Sequence, residues 1–380
     1  MDTKKIYYWS PFISKVATVD AVINSAISLK KYNKKIYNVS IINVFGEFTE
    51  YKEKLEKNNV NLINFDDSKI IKAFPKPGYL RSRILTIYIF FRYFFSLKKL
   101  LDKNPPQFLI IHLITSLPLF LLLFFKINTK MVFRISGYPH LNFIRKLLWK
   151  KAFKNIYKVT APTIETKKKM ISEKIVQENK IILLRDPILS PKKINILQRK
   201  ENKKIFENYY ISVGRLTHQK NYQFLIDCFY ELIKKDKEIK LLILGEGELR
   251  VLLEKKIKNL NMSNNIFLLG YENNIYQYLK KAKAFILSSL WEDPGFVLIE
   301  AAFCNLSIIT SNCPNGPSEL LNEGRNGFMY QSNDKRDFLT EFNKYILSDK
   351  NELFNKKLAV KKYSKNFTYF KHSEELKKIL

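Results

Sequence analysis

The sequence predicts an α/β protein of two lobes, each a parallel sheet wound on both sides by helices. Three observations carry that prediction. The 380 residues fit two domains of ordinary size better than one. Short apolar runs of strand type alternate with longer runs of helical period, the pattern of βα units. In the second half, three strand-type runs end in glycine, at Gly214, Gly245 and Gly270. Glycine is expected there if a ligand approaches the backbone at the carboxyl edge of a parallel sheet. A hydrophobic share of 46% supplies real cores and excludes a disordered chain.

The first lobe reads in order. Lys5–Trp9 is a strand, residues 10–15 are a loop, and Val16–Lys30 is a helix with apolar residues at Val19, Val22, Ile23, Ala26, Ile27 and Leu29. Val39–Phe45 and Val60–Asn64 are strands. Ser68–Lys103 carries nine Lys and Arg against one acid, around the apolar run Ile84–Leu97. That run is 14 residues long with Arg92 inside it, short of the roughly 20 a membrane helix needs. It reads as an amphipathic or buried helix with basic ends, suited to a membrane surface. Gln107–Phe125 splits into a strand (Phe108–Leu113), a loop, and a helix (Leu117–Lys126) with Pro118 in its first turn, where proline is tolerated. Met131–Ile135 is a strand running into Ser136-Gly137, and Leu141–Phe153 a helix with a basic face. Val159–Pro162 and Ile181–Leu184 are further strands, and Arg185 to Lys204 reads as the linker.

The second lobe is more regular. Strands at Tyr209–Val213, Lys240–Leu244, Ile266–Leu269, Phe285–Leu287 and Ser307–Thr310 alternate with helices at Tyr222–Lys234, Leu249–Leu260, Ile275–Ala282 and Phe296–Phe303. Helices close the chain at Asp334–Ile346, Glu352–Lys362 and Ser373–Leu380.

Charge is uneven. Residues 1–200 hold 38 Lys and Arg against 13 Asp and Glu; residues 201–350 hold 20 against 19. A basic lobe attracts anionic surfaces, nucleic acid or membrane. Membrane is favoured, because the basic segments interleave with apolar ones. Three cysteines and four histidines, none at ligand spacing, give neither a disulfide framework nor a metal site. The N-terminus carries no apolar signal stretch, so a cytoplasmic protein is expected.

The stretch from Ala284 to Cys304 concentrates the chemistry. A strand leads into a polar loop with Glu292, then into a helix with Glu300 about two turns in. A helix start at a sheet edge binds phosphate through its free N–H groups and dipole. Carboxylates beside it suit neutral hydroxyls of a ribose or hexose. Gly214-Arg215 and Lys220 add cations that neutralise a departing diphosphate.

In this order the residues resemble the retaining glycosyltransferases of family four. The resemblance rests on Val213-Gly-Arg-Leu216, Lys220, Leu244-Gly-Glu-Gly247 and Phe267-Leu-Leu-Gly270, and above all on Glu292 and Glu300, two glutamates separated by seven residues. It covers about 210–330 well and the first lobe in outline. It implies the GT-B fold, two Rossmann-like doubly wound lobes facing each other across a cleft. The N-terminal acceptor lobe would be 1–190, completed by the C-terminal helix 365–380. The linker would be 191–205 and the nucleotide-sugar donor lobe 206–364.

The resemblance also implies roles. Arg215 and Lys220, with Gly214, hold and stabilise the leaving diphosphate. Glu292 contacts the donor hexose and Glu300 the ribose hydroxyls. The N–H groups near Gly295, Phe296 and Val297 cap a phosphate, and Gly270-Tyr271 lies along the base. Ser14, Lys15, Arg134 and Ser136 fall on the acceptor side. No metal and no cofactor are implied. The loop Ser311–Glu319 is similar to that of bacterial members that build lipid-linked surface polysaccharides. The chain also departs from the family pattern. Phe12–Thr18 lacks the usual glycines, Ser136 stands where many members have a histidine, and Asp293-Pro294 replaces the commoner Gly-Phe. His112 and His140 are isolated, and an isolated histidine is more often structural.

The leading expectation is a peripheral enzyme on the inner face of the cell membrane. It moves a hexose or N-acetylhexosamine from a nucleotide donor, UDP-linked, to a lipid-linked saccharide in polysaccharide, O-antigen or capsule synthesis, without contacting nucleic acid. A non-catalytic GT-B scaffold that binds anionic surfaces or nucleic acid, and a phosphorylase or sugar-phosphate transferase on the same fold, are the alternatives.

Overall fold

The computed structural model describes residues 3–13, 17–65, 79–138, 141–200 and 206–380. Ser14, Lys15 and His140 lie outside the described residues.

In chain order the first elements are β1 (Lys4–Trp9), α1 (Ala17–Tyr32), β2 (Tyr37–Asn43), α2 (Lys52–Glu56), β3 (Asn61–Asn64), α3 (Tyr79–Lys103), β4 (Phe108–Ile111), α4 (Ser116–Phe124), β5 (Lys130–Arg134), α5 (Phe143–Asn155), β6 (Lys158–Ala161), α6 (Ile164–Ser172) and β7 (Ile181–Leu183). Then come α7 (Pro191–Arg199), β8 (Tyr209–Val213), α8 (Tyr222–Lys235), β9 (Lys240–Leu244), α9 (Arg250–Asn259), β10 (Ile266–Gly270), α10 (Tyr276–Lys281), β11 (Ala284–Leu287), α11 (Phe296–Phe303), β12 (Ser307–Ser311), α12 (Pro317–Leu321), β13 (Phe328–Tyr330), α13 (Lys335–Leu347), α14 (Lys350–Ser364) and α15 (Tyr369–Lys377). The chain forms two compact units: Met1–Pro187 with Tyr369–Leu380, and Ile188–Thr368.

The first unit holds a seven-stranded sheet in the order β3-β2-β1-β4-β5-β6-β7, with every pairing parallel. Strand alternation sends successive side chains to opposite faces. In β1, Ile6 and Tyr8 join the core under α1, while Tyr7 and Trp9 join the core under α3, α4 and α5. The C-terminal helix α15 packs on α1. His372 bridges Ser25 Oγ (2.8 Å) and the Arg185 carbonyl (2.7 Å), and Asn33 donates to Ser373 Oγ at 2.8 Å.

Helix α3 buries Leu85, Ile89, Tyr93, Leu97 and Leu101, a strict four-residue repeat. It leaves Ile84, Ile87, Phe91 and Phe95 exposed on another face. Among the described residues, no helix is long and apolar enough to cross a membrane.

The second unit holds a six-stranded parallel sheet in the order β10-β9-β8-β11-β12-β13. Relative to its first strand the order is 3-2-1-4-5-6, so the direction of winding reverses between β8 and β11. Ligands of doubly wound sheets bind outside the carboxyl ends at such a reversal.

Three differences from the sequence reading have physical causes. The stretch expected as part of the linker forms α7: Pro191 sits in the first turn, and Ile194 is buried with Leu189, Ile299 and Phe367. The loop expected over Ser311–Glu319 turns helical at Pro317, because Gly316 at φ +139° sets the entry and Leu320 and Leu321 are buried. The edge strand β13 is only three residues long, too short to show a period.

Candidate functional site

The site is built at the β8–β11 reversal of the second unit. Leu244 and Gly270 offer their carbonyls to Gly214 N–H (2.9 Å) and Gly245 N–H (2.7 Å), so the three glycines step along the sheet edge. The crowding is against backbone at Gly245 and against the lysine side chain at Gly214. A Cβ on Gly245, at φ +142°, would lie 1.9 Å from the Gly214 carbonyl oxygen, and one on Gly214 would lie 2.9 Å from Lys220 Cε. Arg215 is exposed, and its guanidinium has no partner among the described residues. Tyr271 is likewise exposed at the end of β10.

The loop after β8 is stitched to the loop after β11. Leu290 N–H donates to the Gln219 carbonyl (2.8 Å), Gln219 Nε2 to the Trp291 carbonyl (2.8 Å), and Ser288 Oγ to the Lys220 carbonyl (2.7 Å). These bonds bring Lys220 onto Glu292. The lysine Nζ and the Glu292 carboxylate form a largely buried ion pair, and Ser289 Oγ donates to the same carboxylate oxygen at 2.6 Å. Glu292 is only 4% exposed. Buried carboxylates are ordinarily paired and hydrogen-bonded, and this one is both.

Beyond Glu292 the chain reaches Gly295, at φ +87°, and enters α11 with no side chain capping it. The first-turn N–H groups, around Phe296 and Val297, therefore face outward without an intrahelical acceptor. Glu300 follows on the same helix, half-buried, and receives the Tyr276 hydroxyl at 2.5 Å. Cys313 lies near the pair, and burial pushes its thiol up to about 12, so it carries no thiolate at neutral pH.

The predicted donor-side residues thus share one sheet edge: Gly214, Arg215, Lys220, Gly270, Tyr271, Glu292, Gly295, Phe296, Val297 and Glu300. Two partners were missed. Ser289 was legible as a hydroxyl three residues before Glu292. Tyr276 lies 24 residues from Glu300 and gives no local signal. The arrangement combines an exposed guanidinium, a lysine and an uncapped helix start, which suit an anion. A carboxylate–tyrosine pair beside them suits hydroxyls. Among the described residues no three His, Cys, Asp or Glu side chains gather as a metal site.

In the first unit, Arg134 ends β5 and Ser136 follows it in the loop, as predicted, but Arg134 is 3% exposed and ion-paired with Asp186. His112, at the end of β4, is buried, and burial together with the nearby Arg134 charge holds its pKa well below 6.5. It is a neutral imidazole at neutral pH.

Residues 193–367 match the family model of glycosyl transferases group 1. Every donor-side residue named above falls inside that group 1 match. Among curated relatives, the chain is 32% identical over 251 residues to an uncharacterized glycosyltransferase of Methanocaldococcus jannaschii, covering 60% of this chain and 61% of that one. It is 26% identical over 377 residues to an alpha-1,4-N-acetyl-D-galactosaminyltransferase of Campylobacter jejuni, covering 96% and 98%. That enzyme's full name specifies GalNAc-alpha-(1->4)-GalNAc-alpha-(1->3)-diNAcBac-PP-undecaprenol. The architecture matches that of Anabaena HepE in complex with UDP and glucose, with a TM-score of 0.72 over 99% of this chain and 98% of that one, at 14% identity. The two sheets are those of the GT-B glycosyltransferase fold.

Proposed function

We propose that this chain is a retaining glycosyltransferase that moves a hexose or N-acetylhexosamine from a UDP-sugar to a lipid-linked saccharide in surface-polysaccharide synthesis. The observation that carries the reading is the convergence of Arg215, the Lys220–Glu292 pair, Glu300 and the uncapped start of α11 at one sheet reversal. The group 1 match over the same residues and the lipid-linked saccharide in the name of the Campylobacter relative support it.

On this reading the diphosphate lies between Arg215, Lys220 and the helix start. Fixed cations and N–H dipoles act most strongly on the charge that develops as the phosphate leaves. Glu300, oriented by Tyr276, accepts hydrogen bonds from the ribose hydroxyls. Glu292, held in place by Lys220 and Ser289, accepts from a hexose hydroxyl. The acceptor hydroxyl attacks the anomeric carbon from the face the phosphate leaves. A carbon–oxygen bond to the acceptor forms as the bond to phosphate breaks, and the acceptor's proton passes to the departing phosphate oxygen. No protein nucleophile takes part, and charge neutralisation comes from side chains rather than a metal.

The first unit supplies the acceptor side. Its excess of Lys and Arg, with the exposed apolar residues of α3, α4 and α5, suits peripheral docking on anionic lipid. A donor screen by thermal shift tests the reading. UDP-sugars should raise the melting temperature in proportion to occupancy, and Glu300→Ala should erase that rise. A chain indifferent to every nucleotide sugar would contradict it.

A further inference from the structure

The sheet edge of the second unit carries one more polar pair. Glu300 on α11 receives its hydrogen bond from Tyr276, which opens α10, and residues 271–275 join β10 to α10. On the nucleotide reading, a ribose at Glu300 directs its base toward the carboxyl end of β10. The sheet order sets β9 beside β8 and β10 beyond it, two strand spacings or about 10 Å from β8. Gly214, Gly245 and Gly270 keep that edge clear of side chains.

Glu246 and Arg250 stand at this end. A Cβ on Gly270, at φ +81°, would lie 3.0 Å from Glu246 Oε1 and 3.7 Å from Arg250 Nη1, so both side chains border the open face of that glycine. Arg250 Nη1 donates to Glu246 Oε1 at 2.6 Å, its Nε to Glu254 Oε1 at 2.8 Å, and its Nη2 to the Leu268 carbonyl of β10 at 3.2 Å. Arg250 opens α9, where the positive end of the helix dipole disfavours a cation, so these bonds rather than the helix hold it there. The Glu246 side chain is half exposed, and its Oε2 has no hydrogen-bond partner among the described residues. Glu272, two residues past Gly270, instead receives the Tyr278 hydroxyl at 3.0 Å. An ionised carboxylate only accepts and a guanidinium only donates. Side by side they complement a ring N–H next to a carbonyl. Uracil shows that pattern at N3 and O4; cytosine shows the inverse, a ring nitrogen that accepts beside an amino group that donates.

We propose that Glu246 and Arg250 read the base of the donor, with Glu246 accepting the uracil N3–H and Arg250 donating to the neighbouring carbonyl. The proposal rests on the nucleotide-sugar reading above and adds the pair that selects the base. Glu246 is the specificity residue. Arg250 contacts the base and also positions Glu246 through their shared bond.

The test is isothermal titration of the full chain with UDP, CDP and N3-methyl-UDP. UDP should bind about tenfold or more tightly than CDP, the usual discrimination of a paired contact against the wrong base. A methyl group on N3 should remove that advantage. Glu246→Gln should bring UDP and CDP within about threefold of each other, because an amide presents both a donor and an acceptor. The ratio separates base reading from charge, since the two nucleotides carry the same diphosphate. A ratio that Glu246→Gln leaves unchanged, or N3-methyl-UDP that binds like UDP, overturns the proposal. The two readings fail separately. UDP preferred over CDP to the same extent in parent and variant keeps UDP as the donor nucleotide and removes the pair. GDP bound more tightly than UDP, with a preference over ADP that Glu246→Gln abolishes, does the reverse, since guanine also shows a ring N–H beside a carbonyl. A chain that binds none of these nucleotides overturns both.

Discussion

Arg215 and Lys220 carry the same charge, yet replacing them should have different consequences. Arg215 is exposed and has no partner among the described residues, so Arg215→Ala should leave the unfolding free energy within about 0.5 kcal/mol of the parent. Turnover should drop about 10²–10³ fold, the usual cost of removing one preorganised charge donor. Lys220→Ala also strands the buried Glu292 carboxylate, which should cost about 3–5 kcal/mol of stability. Steady-state kinetics alongside calorimetric unfolding separates the two; equal stability losses would show that Glu292 does not depend on Lys220. Glu300→Ala should weaken UDP-sugar binding about 10–100 fold, since hydrogen bonds to a charged group are worth about 1.5–3 kcal/mol. Tyr276→Phe removes the orienting bond of 2.5 Å and should cost less than tenfold. Isothermal titration with UDP alone reads both. These residues were legible in unequal degree. Glu292, Glu300, Arg215 and Lys220 announce themselves by order and by the strand ends they follow. Tyr276 reaches Glu300 only through folding.

At the scale of elements, α3 makes the clearest demand. Its buried stripe from Leu85 to Leu101 explains its place in the core, while Phe91 and Phe95 are mostly exposed and touch only the rings of their neighbours Phe90 and Phe94 among the aromatic contacts of the described residues. Phe91→Ser and Phe95→Ser should leave stability unchanged. Each should weaken sedimentation with anionic vesicles about tenfold, from the loss of about 1.5 kcal/mol of apolar burial, and high salt should weaken it further. Vesicle binding that ignores both substitutions would remove α3 from any membrane contact. The amphipathic reading of this helix was available from sequence, because Arg92 interrupts the run and basic residues flank it. Helix α7 was not, since its polar surface and early proline read as linker. Only tertiary burial of Ile194 reveals it. Gly316 and the buried Leu320 and Leu321 make α12 in the same way, from contacts that no local period records.

On the scale of the whole molecule, alternation of strand and helix in the sequence was enough to call two parallel, doubly wound sheets; the strand order that both share comes from the structure. The edge strands β3, β7 and β10 were legible to within a residue at either end; β13 was not, because three residues carry no period. Protonation offers a test of the first unit as a body. His112 and His372 are buried with pKa values well below 6.5, so the unfolded chain takes up their protons first as pH falls. Their contribution is present above about pH 6.5 and is lost below it. Glu47 acts in the opposite sense: burial raises its carboxyl from 4.5 to about 7, so its contribution is lost as pH rises through that window. Between about pH 5 and 6.5 two histidines oppose one glutamate, leaving a net loss of about 1.4 kcal/mol per pH unit on acidification. Glu47→Gln should roughly double that slope, and His112→Phe should flatten it. Hydrogen exchange in the strands of this unit measures the slope directly; one that stays flat in the parent would leave only one imidazole opposing Glu47, and one that reverses would leave neither.

The central claim is that the β8–β11 reversal releases a nucleoside diphosphate by sugar transfer. Acceptor-dependent UDP release by the full chain, incubated with UDP-hexoses or UDP-N-acetylhexosamines and lipid-linked saccharide, tests it most directly. The account predicts release with at least one donor, dependent on the acceptor and reduced about 10²–10³ fold in Arg215→Ala. Absence of nucleoside diphosphate with every donor, or release that Arg215→Ala leaves unchanged, would contradict it.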